Sequence, residues 1–286
     1  MPVFSHNISF GKVLNMIPGY RAFRNTRSWK KIKHKVILKT SKRKNDNYTQ
    51  FLRLPTQFQA LNSIIDEYFR CNEQVNICVL GCSDGSESFS ISSTLLTNFP
   101  DLKFKIFSYD IDESILDKAR IGRYKREQIF DNKLITKEFI ENTFKINNDI
   151  FEVKNLISKH VNFEKLDVLD REKVSSLGKF DLIFSQNFLF HLKSKDVLKA
   201  FSNIVSILKE NSVLFIDGID LELREKLTIK YDLTPYGFNI EKIHNEAREA
   251  RGAGWPYHYW GLEPFSKDKP DWERRYATIF FPVTLL

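Results

Sequence analysis

The sequence predicts an α/β fold, a mostly parallel sheet with helices on both faces and a small inserted β-subdomain. Three observations predict it. Between residues 75 and 216, short apolar runs alternate with stretches of helical periodicity, the pattern of repeated strand–helix units. Several runs end in a polar residue, at Asp110, Asp167 and Asn187, and ligands of such sheets sit at the C-terminal strand ends. Between the first run and the first helix lies a loop with Gly81, Ser83 and Gly85, and strand, glycine loop, helix opens many nucleotide-binding units.

Taken in order, the chain starts with a basic arm. Residues 1–45 hold 12 Lys and Arg and no acid, with Trp29 and the run Val36-Ile-Leu among them. The net charge of the 286 residues is +8, yet beyond residue 45 there are 32 basic and 36 acidic residues, a net of −4. An electrostatic footprint for an anionic partner therefore belongs to the arm alone. A solvated arm is the plainer reading, and a targeting presequence also fits a stretch without acids, although Lys outnumbers Arg there. Residues 46–286 read as one domain, with an inserted subdomain at 125–157 and an aromatic C-terminal hairpin region at 238–286.

Within that domain Asn47–Tyr68 has helical spacing, with Phe51, Leu54, Phe58, Leu61 and Ile65 three or four residues apart and Pro55 splitting it in two. Ile77–Leu80 is the first strand, and the helix after the glycine loop runs on to Thr97. Lys105–Asp110 is the second strand. Its terminal acid lies about 20–30 residues past the loop, where a carboxylate accepts hydrogen bonds from a ribose diol. Asp112–Arg120 is a helix with Ile115, Leu116 and Ala119 on one face and Gly122 as its stop. The mixed stretch 121–157 suits short antiparallel strands apart from the main sheet. Val161–Asp167, Phe180–Ser185 and Ser212–Ile216 are further strands. The helix Lys195–Lys209 between the last two turns Val197, Leu198, Phe201, Ile204, Val205 and Leu208 inward. Phe238–Ile243 and Tyr276–Phe281 read as two final strands. Between them, Trp255, Tyr257, Tyr259 and Trp260 line a pocket or cover a sheet edge, and His258 reads as structural.

Composition narrows the class. Hydrophobic residues make up 42% and charged residues 28%, ordinary for a soluble globular protein. No apolar run reaches 18 residues, so no membrane span is expected, and the start lacks the apolar core of a signal peptide. Cys71, Cys78 and Cys82 form no metal-like set and fit reduced thiols in a cytoplasmic protein. There is no His/Cys metal cluster and no Gly-x-Ser-x-Gly elbow, so no metal is expected.

Four blocks, in order over Asp46–Asp220, resemble the CheR-type methyltransferases, which transfer methyl from S-adenosyl-L-methionine to glutamate side chains of chemotaxis receptors. Asn47-Tyr-Thr-Gln-Phe-Leu-Arg53 is similar to that family's Asn-x-Thr-x-Phe-Phe-Arg. Gly81-Cys-Ser-Asp-Gly-Ser-Glu-Ser-Phe-Ser90 resembles Ala-Cys-Ser-Thr-Gly-Glu-Glu-Pro-Tyr-Ser. Tyr109-Asp-Ile-Asp with Ala119-Arg120 and Gly122-Arg-Tyr124 is similar to Thr-Asp-Ile-Asp…Ala-Arg…Gly-x-Tyr. Phe180-Asp-Leu-Ile-Phe-Ser-Gln-Asn187 resembles Phe-Asp-x-Ile-Phe-Cys-Arg-Asn.

The resemblance implies a Rossmann-like class I methyltransferase domain, S-adenosyl-L-methionine as cofactor and a protein carboxylate as acceptor. It implies that Asn47, Thr49 and Arg53 approach the methionine end and the transfer site, and that Glu87 contacts the cofactor beside Gly81, Ser83 and Gly85. It places Asp110 on the ribose, Asp167 and Val168 by the adenine, and Asn187 and Phe188 along the methionine. It also implies that the insert matches the family's β-subdomain, which docks receptor tails in some members. The sequence departs from the family at His191, where a Tyr is usual, at the arm, which replaces an N-terminal helical domain, and in the aromatic tail. A carboxylate acceptor is already ionised and needs no base, and Arg53 is expected to orient it. A hydroxyl or amine acceptor on a small molecule or RNA would need one, and His191 is the candidate. A catalytically silent cofactor-binding module is the third reading.

Overall fold

The computed structural model describes Trp29 and residues 48–132, 134–251 and 263–282. Asn47, the other residues of the basic arm and the aromatic cluster 255–260 lie outside the described residues. Five parallel strands form the heart of the main sheet: β1 (Val75–Leu80), β2 (Phe104–Asp110), β6 (Val161–Lys165), β7 (Phe180–Gln186) and β8 (Leu208–Asp217). Antiparallel to β8 runs β10 (Ile279–Pro282), and β9 (Leu233–Pro235) completes the order β6-β2-β1-β7-β8-β10-β9. The order reverses between β1 and β7, and the C-terminal ends of those strands flank the switch point where such sheets bind ligands.

Both faces of the sheet are covered. Val75, Ile77 and Val79 of β1 pack in one core cluster with Leu61 and Ile64 of α1 (Pro55–Ile64) and with Phe89 and Leu95 of α2 (Ser86–Asn98). The alternate residues Cys78 and Leu80 belong to a second cluster on the other face. Each β1 residue thus points to the face opposite its neighbour, and both faces are apolar because both are buried. After β2, the Asp112 side chain caps the N-terminus of α3 (Glu113–Ile121), and Gly122, at φ 62°, ends it in the left-handed region.

The inserted β-subdomain is a three-stranded antiparallel sheet, β3-β5-β4, built from β3 (Arg123–Lys125), β4 (Phe144–Asn147) and β5 (Ile150–Val153). Two short helices, α4 (Arg126–Phe130) and α5 (Lys137–Thr143), join β3 to β4. Phe51, Tyr124, Phe144 and Phe151 meet edge to face beneath it. Buried serines of α2 tie it down: Ser92 Oγ donates to Ile157 O at 2.9 Å, and Ser93 Oγ lies 2.7 Å from Thr143 Oγ1.

Four expectations are corrected. Residues 48–54 are not helical, because Leu52 takes φ 46° and the helix begins at Pro55. Phe51 and Leu54 are buried by a turn that sets both toward the core, so their spacing reports burial and not a helix. Helix α6 (Ser194–Ser206) ends before Lys209, and Leu208 opens β8. Its Leu198 is 47% exposed, on the outer side from Phe201 and Ile204. Phe238–Ile243 is not a strand, since Ile240, Ile243 and Ala247 bury one face of the helix Ile240–Arg251. The strand that pairs with β10 is instead Leu233–Pro235.

The helix Leu221–Lys230 (α7) carries only a weak apolar stripe, because its buried face includes Arg224 and Thr228 beside Leu221 and Leu227; its local signal is Asp220, whose side chain caps it by accepting from Leu223 N. It is followed by α8 (Ile240–Arg251) and α9 (Trp272–Tyr276).

Candidate active site

The C-terminal ends of β1, β2 and β7 open into a cleft. Its floor is Leu80, Gly81 and Ser83, where β1 turns into α2. Gly81 has φ 71°, and a Cβ there would come within 2.8 Å of Phe188 Cδ1, so Phe188 lies directly against the loop. Gly85, at φ 88°, supports the cleft without lining it: a Cβ there would meet Phe163 Cζ at 2.9 Å, and its N–H closes the loop onto Cys82 O.

Asp110 ends β2 facing this loop. Its Oδ2 accepts from Ser83 N at 2.9 Å and its Oδ1 from Asp112 N at 3.0 Å. Two backbone donors fix the carboxylate while leaving each oxygen a lone pair for a ligand. Tyr109, Ile111, Leu166 and Val168 form an apolar wall beside it. Asp167 lies between two of these wall residues but is not itself part of the lining. Its Oδ1 accepts from Leu169 N at 2.9 Å and shapes the turn after β6.

The opposite side carries charge. Glu87, in the first turn of α2, lines the cleft. Burial pushes its carboxyl up to about 7, the Arg53 guanidinium pulls it down, and Asp217 pushes it up again. Thr49 and Arg53 come from the turn before α1, and Arg53 also stands over the Tyr48 ring, 5.6 Å from its centroid. Burial and a bond to Asp131 raise the Tyr48 hydroxyl to about 12. Asn187, Phe188 and His191 close the cleft from the turn after β7. Asn187 takes φ 57°, and its N–H donates to Asp217 O at 3.1 Å. The chain then forms a short 3-10 turn, Leu189–His191, in which the His191 and Phe190 rings lie 4.1 Å apart.

Of the residues expected at the site, Thr49, Arg53, Gly81, Ser83 and Glu87 line this one cleft together with Asp110, Val168, Asn187, Phe188 and His191. Asn47 lies outside the described residues. Reading the sequence missed Gln57 and Gln186. Gln186 Nε2 donates to Gln57 Oε1 at 2.8 Å, and Gln57 Nε2 donates to Thr278 Oγ1 at 2.9 Å, a buried chain beside the cleft. Gln186 could have been noticed as the departure from the family's Arg in its fourth block, whereas nothing in the sequence marks Gln57.

The model of the CheR methyltransferase SAM-binding domain matches residues 47–230. The chain belongs to this family. A chemotaxis protein methyltransferase of Borreliella burgdorferi is 32% identical over 195 residues, covering 65% of this chain and 68% of that protein. One from Campylobacter jejuni is 28% identical over 195 residues, covering 68% and 71%. One from Escherichia coli K12 is 26% identical over 175 residues, covering 59% of each.

This CheR-family chain is therefore an S-adenosylmethionine-dependent methyltransferase with a Rossmann-like class I fold. The cleft chemistry fits the cofactor. A fixed carboxylate suits a diol, an apolar wall suits a flat base, and the partly desolvated Glu87 carboxyl suits a cationic ligand. Among the described residues, no helix is long and apolar enough to cross a membrane.

Proposed function

We propose that the acceptor is a protein carboxylate, a glutamate side chain of a chemoreceptor, and that the enzyme works in the cytoplasm. The observation that carries this is Arg53, a guanidinium lining the cleft within electrostatic reach of Glu87. The names of the relatives, chemotaxis protein methyltransferases, support the same reading. Asp110 would hold the ribose hydroxyls, Leu166 and Val168 would flank the adenine, Glu87 would contact the cationic end of the cofactor, and Asn187 and Phe188 would face its methionine.

The bound cofactor supplies a methyl on a sulfonium, ready for in-line displacement. The chain's own task is placement. Arg53 binds the acceptor carboxylate by charge-assisted bonds and turns one oxygen toward the methyl. That oxygen would supply the electron pair of the new bond to the methyl carbon, while the carbon–sulfur pair returns to sulfur and the neutral thioether leaves. No proton has to move, because the acceptor is ionised at neutral pH. Phe188 and Leu192 keep this end of the cleft apolar and limit water.

The test is methyl transfer to a soluble chemoreceptor fragment, with cofactor affinity measured in parallel. Arg53→Ala is expected to cut turnover by about 100-fold or more and to change cofactor affinity far less, by about tenfold at most through the loss of its pull on Glu87. Equal loss of both sinks the assignment of Arg53.

A second reading rests on His191, whose place in the cleft suits a general base for a hydroxyl or amine acceptor on a small molecule or RNA. An acceptor screen separates the two readings, since a base-dependent acceptor gives a rate that rises through the His191 titration and flattens in His191→Phe.

A further inference from the structure

Arg53 is held at the cleft by contacts from outside its own segment. Leu52, immediately before it, has φ 46°, a conformation that a leucine adopts at a cost of roughly 1 kcal/mol or more. Such a turn persists only where surrounding groups hold it. Five contacts do so, and four come from two adjacent residues at the end of α4, in the inserted subdomain. Asn132 Nδ2 donates to Phe51 O and to Leu52 O, both at 2.8 Å. Asp131 Oδ2 accepts from the Tyr48 hydroxyl at 2.7 Å and from Gln50 Nε2 at 3.0 Å. The Leu52 N–H donates to Ser90 Oγ at 3.0 Å.

Asn132 is buried, and its Oδ1 accepts from Leu134 N at 2.9 Å. Each polar atom of this side chain is thus used, and both amide hydrogens are spent on consecutive carbonyls of the turn that ends in Arg53. Tyr48, tied to Asp131, is also the ring beneath the Arg53 guanidinium. The inserted subdomain therefore grips this turn by its backbone at one end and by its aromatic support at the other.

We propose that Asn132, assisted by Asp131, is a positioning residue for methyl transfer: it holds the 48–53 turn in the conformation that presents Arg53 to the acceptor. The inference rests on the reading of Arg53 given above. It makes the inserted subdomain a structural part of the acceptor half of the active site. None of these contacts touches Gly81, Ser83 or Asp110, so the cofactor half stays intact when they are broken.

The experiment compares wild type, Asn132→Ala, Arg53→Ala and the double variant in the full chain. It reads methyl transfer to the chemoreceptor fragment, S-adenosylmethionine affinity by calorimetry, and amide hydrogen exchange by peptide. Asn132→Ala is expected to lower turnover by about 10- to 100-fold with cofactor affinity within about threefold. In the Arg53→Ala background the same change adds less than about twofold, because its effect passes through Arg53. Exchange rises in the peptide covering 48–54, while β1 and the glycine loop stay protected.

Exchange that rises throughout the chain, equal losses in both backgrounds, or unchanged turnover in Asn132→Ala overturns the proposal. Should Asn132→Ala fail to fold, the exposed Asp131→Ala replaces it. It is expected to lower turnover by about threefold with the same non-additivity toward Arg53→Ala, and an additive or absent loss overturns the proposal equally. A wild type that methylates no receptor fragment overturns the acceptor assignment instead. The exchange result then decides the positioning role, since it needs no acceptor.

Discussion

The two halves of the cleft are held together in opposite ways. The cofactor half, from Gly81 to Glu87 with Asp110, is local. The loop closes through Gly85 N to Cys82 O, and one further strand end supplies the carboxylate that binds Ser83 N. The acceptor half, residues 48–57, is held from a distance. Asp131 and Asn132 grip the turn, and α1 has no cap of its own, since Leu54 carries no polar side chain. Glu246, 190 residues onward, accepts from Thr56 N at 3.0 Å and from its hydroxyl. A cofactor of one shape can be served by a rigid local motif. An acceptor site assembled from three parts of the chain is open to change at any of them.

Substitutions can break this contrast. The largest effect is expected for Asp110→Ala, which removes the ribose acceptor and orphans two backbone N–H groups; S-adenosylmethionine affinity should fall by about 100-fold or more by calorimetry, from hydrogen bonds to a charged group each worth about 1.5–3 kcal/mol. Retained affinity would mean that the loop holds its shape and the cofactor without the carboxylate. Gly85→Ala comes next. The left-handed backbone and the contact with Phe163 should cost about 2 kcal/mol of stability in a denaturant titration, with a loss in the cofactor half and none specific to Arg53.

Glu87 gives a pH test of the boundary between the halves. An unfolded glutamate ionises near 4.5, while the folded carboxyl titrates at about 7. Between those values the folded state binds more protons than the unfolded one. Its contribution to stability is therefore fully present below 4.5 and is lost as pH rises through 7. Affinity for a cationic cofactor moves the other way. It should increase by roughly tenfold from pH 6 to pH 8 as Glu87 ionises, and Glu87→Gln should flatten that part of the profile. A flat wild-type profile would separate Glu87 from the cofactor. The smallest effect is expected for Glu246→Ala, about 1 kcal/mol of stability from the lost cap on α1, read by thermal unfolding, with cofactor affinity unchanged.

The cofactor half was legible because its signals are short in range. A β-branched run, two glycines and an acid at the next strand end lie within about 35 residues, and each has its own chemical reason. Gly122 and Asp112 marked the ends of α3 for the same reason. The acceptor half was misread as helix because Phe51 and Leu54 have helical spacing, and no local feature shows that Leu52 adopts a left-handed backbone. The family motif still named Thr49 and Arg53, so their identity was available while their geometry was not. Gln57 and Gln186 meet across 129 positions, a separation that no periodicity encodes. In the tail, Phe238–Ile243 looked like a strand over six residues, yet the buried spacing of Ile240, Ile243 and Ala247 belongs to a helix.

The sequence by itself determined the parallel α/β sheet, the strand–glycine loop–helix corner, the acid opposite it and the methyl donor that these residues serve. Local backbone preferences and strand-end chemistry are written in neighbouring residues. Only the tertiary structure decided how Arg53 is presented, which side chains grip its turn, and that Glu87 sits where burial lifts its carboxyl toward neutral pH. Those outcomes depend on desolvation and on hydrogen bonds between segments far apart in the chain, and they come into being only when the core closes.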